Sequence, residues 1–225
     1  LPIEVLVERE GRGTQVPWLV ESICEWFSNS HASTRHLFAS GGLYGEIKHL
    51  KALIESGEAM KLSDSERGKV LWNDFSPRSV VAILKLFLRE LPASVIPTSM
   101  VPQFMSIESN DSASAYADPS TTPVLSATFA NPAPAPHQLS ATAKVFKRFL
   151  QDLPPINLQT LLCITNALQR IWKAPGSVHT LDSLAVTFGP LIAADKPDGS
   201  LKSALPVISA YSSLLECVDL IHMAP

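Results

Sequence analysis

Charge is scarce in this sequence. Charged residues make up 17% of its 225 positions and aromatics 7%, against 46% hydrophobic residues. That balance excludes a chain disordered throughout, because it leaves ample apolar surface to bury. Basic surplus is missing as well. The formal net charge is −3, and a dedicated nucleic-acid binder carries the opposite balance. Between Glu90 and Ala143 there is no Lys or Arg, so that span has no means of holding nucleic acid or an acidic membrane. Cysteine is limited to Cys24, Cys163 and Cys217. With no Cys-x-x-Cys and no Cys/His metal spacing, a disulfide framework and a zinc site are excluded. The three read as buried thiols of a reducing compartment, which points to the cytoplasm. No apolar run approaches the length of a transmembrane helix. The chain starts at Leu1 without Met or a signal-peptide pattern, and is read as a domain cut from something longer.

What is present is helical periodicity. Residues 1–16 form a mixed polar lead-in. From Pro17, Leu19, Ile23 and Phe27 recur at helical spacing. Leu43, Ile47, Leu50 and Ile54 form a second stripe, opened by Gly41 and Gly42 and closed by Gly57. Ser76 and Pro77 open a third helix, which stops at Leu91 before Pro92. Residues 107–139 are mostly Pro, Ala, Ser or Thr and show no period, so they are read as a surface insertion. Periodicity resumes near Ser140. A long helix follows, capped by Asn157, then a short one around Gly189 and Pro190, and a last one over roughly 200–222. With no alternating run and no hairpin signal, the class is all-α. About eight helices pack as a bundle over residues 17–225.

Catalytic chemistry finds little support. G-x-S-x-G and G-x-x-x-x-G-K-[ST] are absent, and no cofactor is expected. His31 and His36 lack the further ligands a metal needs, so no metal is expected either. GGLYG at 41–45 could offer amides to an anion, but a lone glycine cluster is weak evidence and a tight turn into a helix is the favoured reading. The third helix is more informative. Between Ser79 and Leu91 nearly every side chain is apolar, and the basic exceptions are Lys85 and Arg89, four residues apart, with Arg78 continuing the stripe. Like charges at this spacing oppose each other by about 0.2–0.5 kcal/mol. They mark either a solvated face or the neighbourhood of an anionic partner.

Several ordered pieces resemble the GTPase-activating domain of the Rho family. VPWLVESICEWF is similar to its opening helix, and LFASGGLYGEIKHLKALIESGE to the loop and helix read L-F-R-x-S-G-x-x-x-x-I-x-x-L-K. VVAILKLFLRELPASVIP resembles L-K-x-F-L-R-E-L-P-x-P-L-I. FLQDLPPINLQTLLCITNAL is similar to the L-P-x-x-N-x-x-x-L pair, and SLAVTFGPLI to N-L-A-x-x-F-G-P-N-L. The resemblance implies a RhoGAP-like bundle whose partner is a small GTPase of the Rho, Rac or Cdc42 type. It matches Lys85 and Arg89 to the family's basic pair. It also implies that Phe38, Ser40 and Arg78 belong to the GTPase-binding surface.

The departures bear on function. Phe38 aligns with the family's Phe, and the next position, which holds the arginine finger of active members, is Ala39. The Asn after Phe-Gly-Pro is replaced by Leu191. An arginine finger stabilises charge on the transferring phosphoryl group and is worth about 10³–10⁵ in rate. Neither Ala39 nor Leu191 can replace those groups. The resemblance therefore implies a binding module without catalytic residues; the alternative is an active domain that uses Arg35. The L-F-x-x-x-G-L-x-x-E spacing is also similar to the C-terminal domain of oculocerebrorenal-type inositol polyphosphate 5-phosphatases. That likeness adds an endocytic adaptor peptide as a second partner, and recruitment to endosomal or Golgi membranes through partners.

Overall fold

The computed structural model describes residues 3–10, 13, 15–38, 41–59, 71–107, 136–193 and 201–223. Nine α-helices and no strand occur among the described residues. They are α1 (Ile3–Glu10), α2 (Trp18–Ser30), α3 (Tyr44–Glu55), α4 (Pro77–Glu90), α5 (101–107), α6 (Pro136–Gln151), α7 (Pro155–Lys173), α8 (Leu181–Ile192) and α9 (Leu201–Met223). The all-α expectation is thus met. Two helices fall where the sequence reading places none: α5, and α1 in the lead-in, whose Ile3 is buried in the common core. Of the expected insertion at 107–139, residues 108–135 lie outside the described residues.

The core is one cluster with α7 at its centre, packed by α1, α2, α8 and α9. Leu161, Ile164, Leu168 and Ile171 fill its buried face at helical spacing. Two buried polar side chains fix α9 against it. Gln169 donates to the Leu215 carbonyl at 3.0 Å, and the Thr165 and Tyr211 hydroxyls lie 3.4 Å apart. Such partners remove the cost of about 1–3 kcal/mol that an unpaired buried group carries. Asn157 is not the cap of α7, which begins at Pro155 after an extended Pro154. It donates instead to the Val95 carbonyl at 2.8 Å, tying α7 to the turn after α4. At Gly189 a side chain would sit 3.3 Å from the Ile208 backbone. Glycine there lets α8 and α9 approach closely, and Pro190 is accommodated in the same turn of α8.

Leu43 departs from the expected apolar stripe. It is the extended N-cap residue of α3 and is 60% exposed, while Leu50 is fully buried. Periodicity counts a residue at helical spacing whether or not the backbone there is helical, which explains the difference. Gly42 just before it has φ +65, and a Cβ there would come within 2.6 Å of Ser79 Cα. Only glycine fits this close crossing of α3 and α4.

Candidate functional site

The chain leaves α2 at His31 and enters α3 at Tyr44, and the loop between them is held from three sides. Phe38 is the keystone. It is 4% exposed and meets Phe27 of α2, Phe188 of α8 and His179 of the α7–α8 connector edge to face, at centroid separations of 5.6, 5.4 and 5.0 Å. Edge-to-face contacts of this kind add about 0.5–1.5 kcal/mol each beyond area burial. Leu37 beside it is fully buried. Its neighbours Ala39 and Ser40 lie outside the described residues.

From α4, two of the expected basic residues reach the same loop. Lys85 Nζ donates to the Phe38 carbonyl at 2.8 Å, and Arg78 Nη2 to the Arg35 carbonyl at 3.4 Å. They are seven residues apart, two helical turns, and so share a face. Burial lowers the Lys85 pKa, with a smaller contribution from the Arg89 charge. Arg89 itself is exposed and makes no hydrogen bond or ion pair among the described residues. The stripe is therefore divided: Arg78 and Lys85 hold the loop, and Arg89 presents its guanidinium to solvent. Leu191 is half-buried on α8, three residues beyond Phe188, on the helix that Phe38 packs against. Arg35 is exposed within the loop itself.

Where α3 and α4 begin, a polar cluster replaces the anion site that the glycines could have formed. The Leu43 amide donates to Ser79 Oγ at 2.8 Å, and the Ser79 and Ser76 hydroxyls are 2.8 Å apart. Glu46 accepts from Ser76 Oγ at 2.5 Å and from the Ser76 amide at 3.1 Å. Ser76 thus holds the N-cap position of α4 but commits its hydroxyl to Glu46. The Ser76 hydroxyl, and then that of Ser79, lower the Glu46 pKa below 4.5. A depressed folded pKa contributes stability above the unfolded value and loses it as pH falls through the folded one. The stability difference between wild type and Glu46→Gln, followed by thermal melts, is therefore expected to be largest at neutral pH and to shrink below pH 4.5. A difference independent of pH would mean that the carboxylate charge is not what holds Ser76.

Three participants were not legible as site residues: Thr34, His179 and Phe188. His179 contacts Thr34 across 145 positions of sequence, and no local pattern signals so distant a contact. No group of three or more His, Cys, Asp or Glu side chains that could hold a metal ion occurs among the described residues.

The RhoGAP domain model matches residues 17–197. Among curated proteins, human GEM-interacting protein is 26% identical over 202 residues, spanning 88% of this chain and 18% of that protein. Mouse Rho GTPase-activating protein 45 is 25% identical over 93% of this chain and 17% of its own length. Rho GTPase-activating protein gacY of Dictyostelium discoideum is 27% identical over 49% of this chain and 14% of its own length. The chain thus spans less than a fifth of these curated relatives. Among solved structures, human Rho GTPase activating protein 15 superimposes with a TM-score of 0.71 at 21% identity, covering 98% of this chain and 89% of that one. The BH domain from GRAF, the GTPase regulator associated with focal adhesion kinase, gives 0.64 at 14% identity, covering 92% and 93%. At those identities the likeness is one of fold.

Proposed function

Because the chain belongs to the RhoGAP domain family, we propose that it docks on a Rho-type small GTPase without supplying the arginine that speeds GTP hydrolysis. The observation that carries this reading is the contrast at residues 38 and 39. Supporting it, Phe38, next in sequence to the position that the resemblance matches to the finger, is clamped by three aromatic rings and its carbonyl is held by Lys85. The residue next in sequence is Ala39, which has neither charge nor donor. Catalysis of this kind depends on donors already aimed at the developing charge, and alanine offers none. Leu191, where the family's Asn would stand, removes a second polar group.

Binding needs less. Arg89 is exposed one turn beyond the loop-holding Lys85, and Tyr44 is 82% exposed at the start of α3. On this reading Phe38, Arg78 and Lys85 shape the docking surface, Ser40 belongs to it, and Arg89 contributes directly. Arg89→Ala is expected to weaken binding to a GTPase loaded with a non-hydrolysable GTP analogue by about threefold at low salt, an effect that fades as salt screens the charge. Titration calorimetry at two ionic strengths checks this. Unchanged affinity would move the partner to another face.

A second reading rests on Arg35, whose exposed side chain lies in the same loop: an active domain would swing it into the finger's place. The likeness to the inositol polyphosphate 5-phosphatase domain, with its adaptor peptide and recruitment to endosomal or Golgi membranes, rests on the L-F-x-x-x-G-L-x-x-E spacing alone.

A further inference from the structure

The loop between α2 and α3 is held by two imidazoles that meet at one residue. Thr34 Oγ1 lies 3.4 Å from His31 Nδ1, and the Thr34 carbonyl lies 3.1 Å from His179 Nε2. The Thr34 amide also donates to the His31 carbonyl at 3.0 Å, closing a tight turn. A carbonyl can only accept, so His179 carries a proton on Nε2, and this bond is made by the neutral ring and the charged ring alike. His31 is more constrained. Its ring lies 4.1 Å from that of Trp26, and its Nε2 is buried with no hydrogen-bond partner. A neutral ring leaves at most one unmatched group there. A charged ring must bury an N–H that has no acceptor, at a substantial desolvation cost.

The surroundings oppose protonation further. Arg35 and His36 lie on the loop itself, Arg78 and Lys85 reach its carbonyls from α4, and the carboxylate nearest His179 in sequence is Asp182 in the first turn of α8. From α2 the neighbours are Trp26 and Phe27, and from α8 Phe188, meeting the cluster through His31 and Phe38. No carboxylate bonds or pairs with either imidazole among the described residues. The loop also holds a strained residue, since His36 has φ +57. That conformation costs roughly 1 kcal/mol or more and persists only while the surroundings enforce it.

We propose that His31, Thr34 and His179 form a proton-sensitive clasp that positions the Phe38 loop while the His31 ring is neutral and loosens when His31 is protonated, His179 keeping its bond to the Thr34 carbonyl in either state. The proposal deepens the docking reading above, because the loop it controls is the one assigned to the GTPase surface. His31 and His179 are positioning residues in this scheme. Burial lowers the pKa of each from 6.5; for His179 the bond to the Thr34 carbonyl opposes that shift and His36 adds a smaller lowering. The sign follows. A histidine with a depressed folded pKa binds protons more readily when unfolded, so loop stability is full above pH 6.5 and falls as pH drops through the folded values.

The clasp can be tested on the free domain, without a GTPase. Hydrogen exchange of the 31–38 amides is measured at pH 7.5 and 5.5 and corrected for intrinsic rates, with α7 as internal reference. The loop is expected to lose protection by about threefold or more at the lower pH while α7 keeps its own. His31→Asn with His179→Gln retains polar groups near the Nδ1 and Nε2 positions but does not titrate, and it should flatten the difference. An equal loss of protection in wild type and double variant, or no loss in either, overturns the proposal. If the double variant does not fold, proton NMR of the wild-type imidazoles decides. Titration of the His31 ring at or above the ordinary histidine value overturns the clasp, and titration below it, alongside loop opening, supports it. A separate measurement of GTPase affinity at the two pH values addresses the docking reading. An opening loop with unchanged affinity would leave the clasp standing and remove the loop from the interface.

Discussion

Catalytic amounts of this domain are expected to leave GTP hydrolysis by Rho-, Rac- and Cdc42-type GTPases at the intrinsic rate. A guanidinium aimed at the transferring phosphoryl group is worth about 10³–10⁵ in rate, and Ala39 supplies none. Ala39→Arg alone is expected to recover only part of that factor. Leu191 stands on α8, the helix against which Phe38 packs through Phe188, and on the proposed docking its apolar side chain would leave a polar partner unmatched. An unsatisfied buried group costs about 1–3 kcal/mol, so adding Leu191→Asn should raise the rate beyond what the finger alone gives. The two changes should combine non-additively, as expected of residues that act as a unit. Single-turnover hydrolysis with all four combinations reads this directly. Robust acceleration by the unmodified domain would contradict it, and Arg35→Ala would then show whether Arg35 supplies the missing charge.

The next largest effect is expected from truncating Phe38. Its ring is nearly inaccessible and touches three other rings. Phe38→Ala removes a buried aromatic and leaves a cavity, at an expected cost of about 3–5 kcal/mol in chemical denaturation. Lys85→Met, which keeps the stem but removes the donor to the Phe38 carbonyl, should cost less globally. It should nevertheless loosen the loop in hydrogen exchange. Little loss on Phe38→Ala would mean that the loop is not packed between α2 and α8.

The helices were readable because they bury one face each. The stripes on α2, α4 and α7 follow the 3.6-residue period, and the proline and glycine at their ends set their limits. The lead-in helix was missed because α1 is short and mixed in character, with only Ile3 among its described side chains deep in the core. Asn157 was misread because an Asn near a helix start is ordinarily a cap. Here Pro154 and Pro155 start the helix, and the amide is used for a tertiary bond to Val95.

The basic stripe was visible at the spacing of 78, 85 and 89, but its division of labour was not. Whether a lysine faces a partner or a loop carbonyl depends on where the chain returns, and Phe38 is 47 residues from Lys85. His179 illustrates the same limit at greater range. Neither composition nor period can join it to Thr34. Only the packing of the α7–α8 connector on the loop between α2 and α3 does so.

The most direct test of the account compares two affinities of the unmodified domain for one GTPase. The first is measured with the GTPase bound to a non-hydrolysable GTP analogue, the second with GDP and aluminium fluoride as a mimic of the transferring phosphoryl group. A catalyst binds a transition-state mimic about 10²-fold tighter or more, because its charge-stabilising groups engage only there. Without a guanidinium at position 39, this domain should bind the two forms with comparable affinity, and Ala39→Arg should open a gap between them. A strong preference of the unmodified domain for the aluminium fluoride complex would contradict the account.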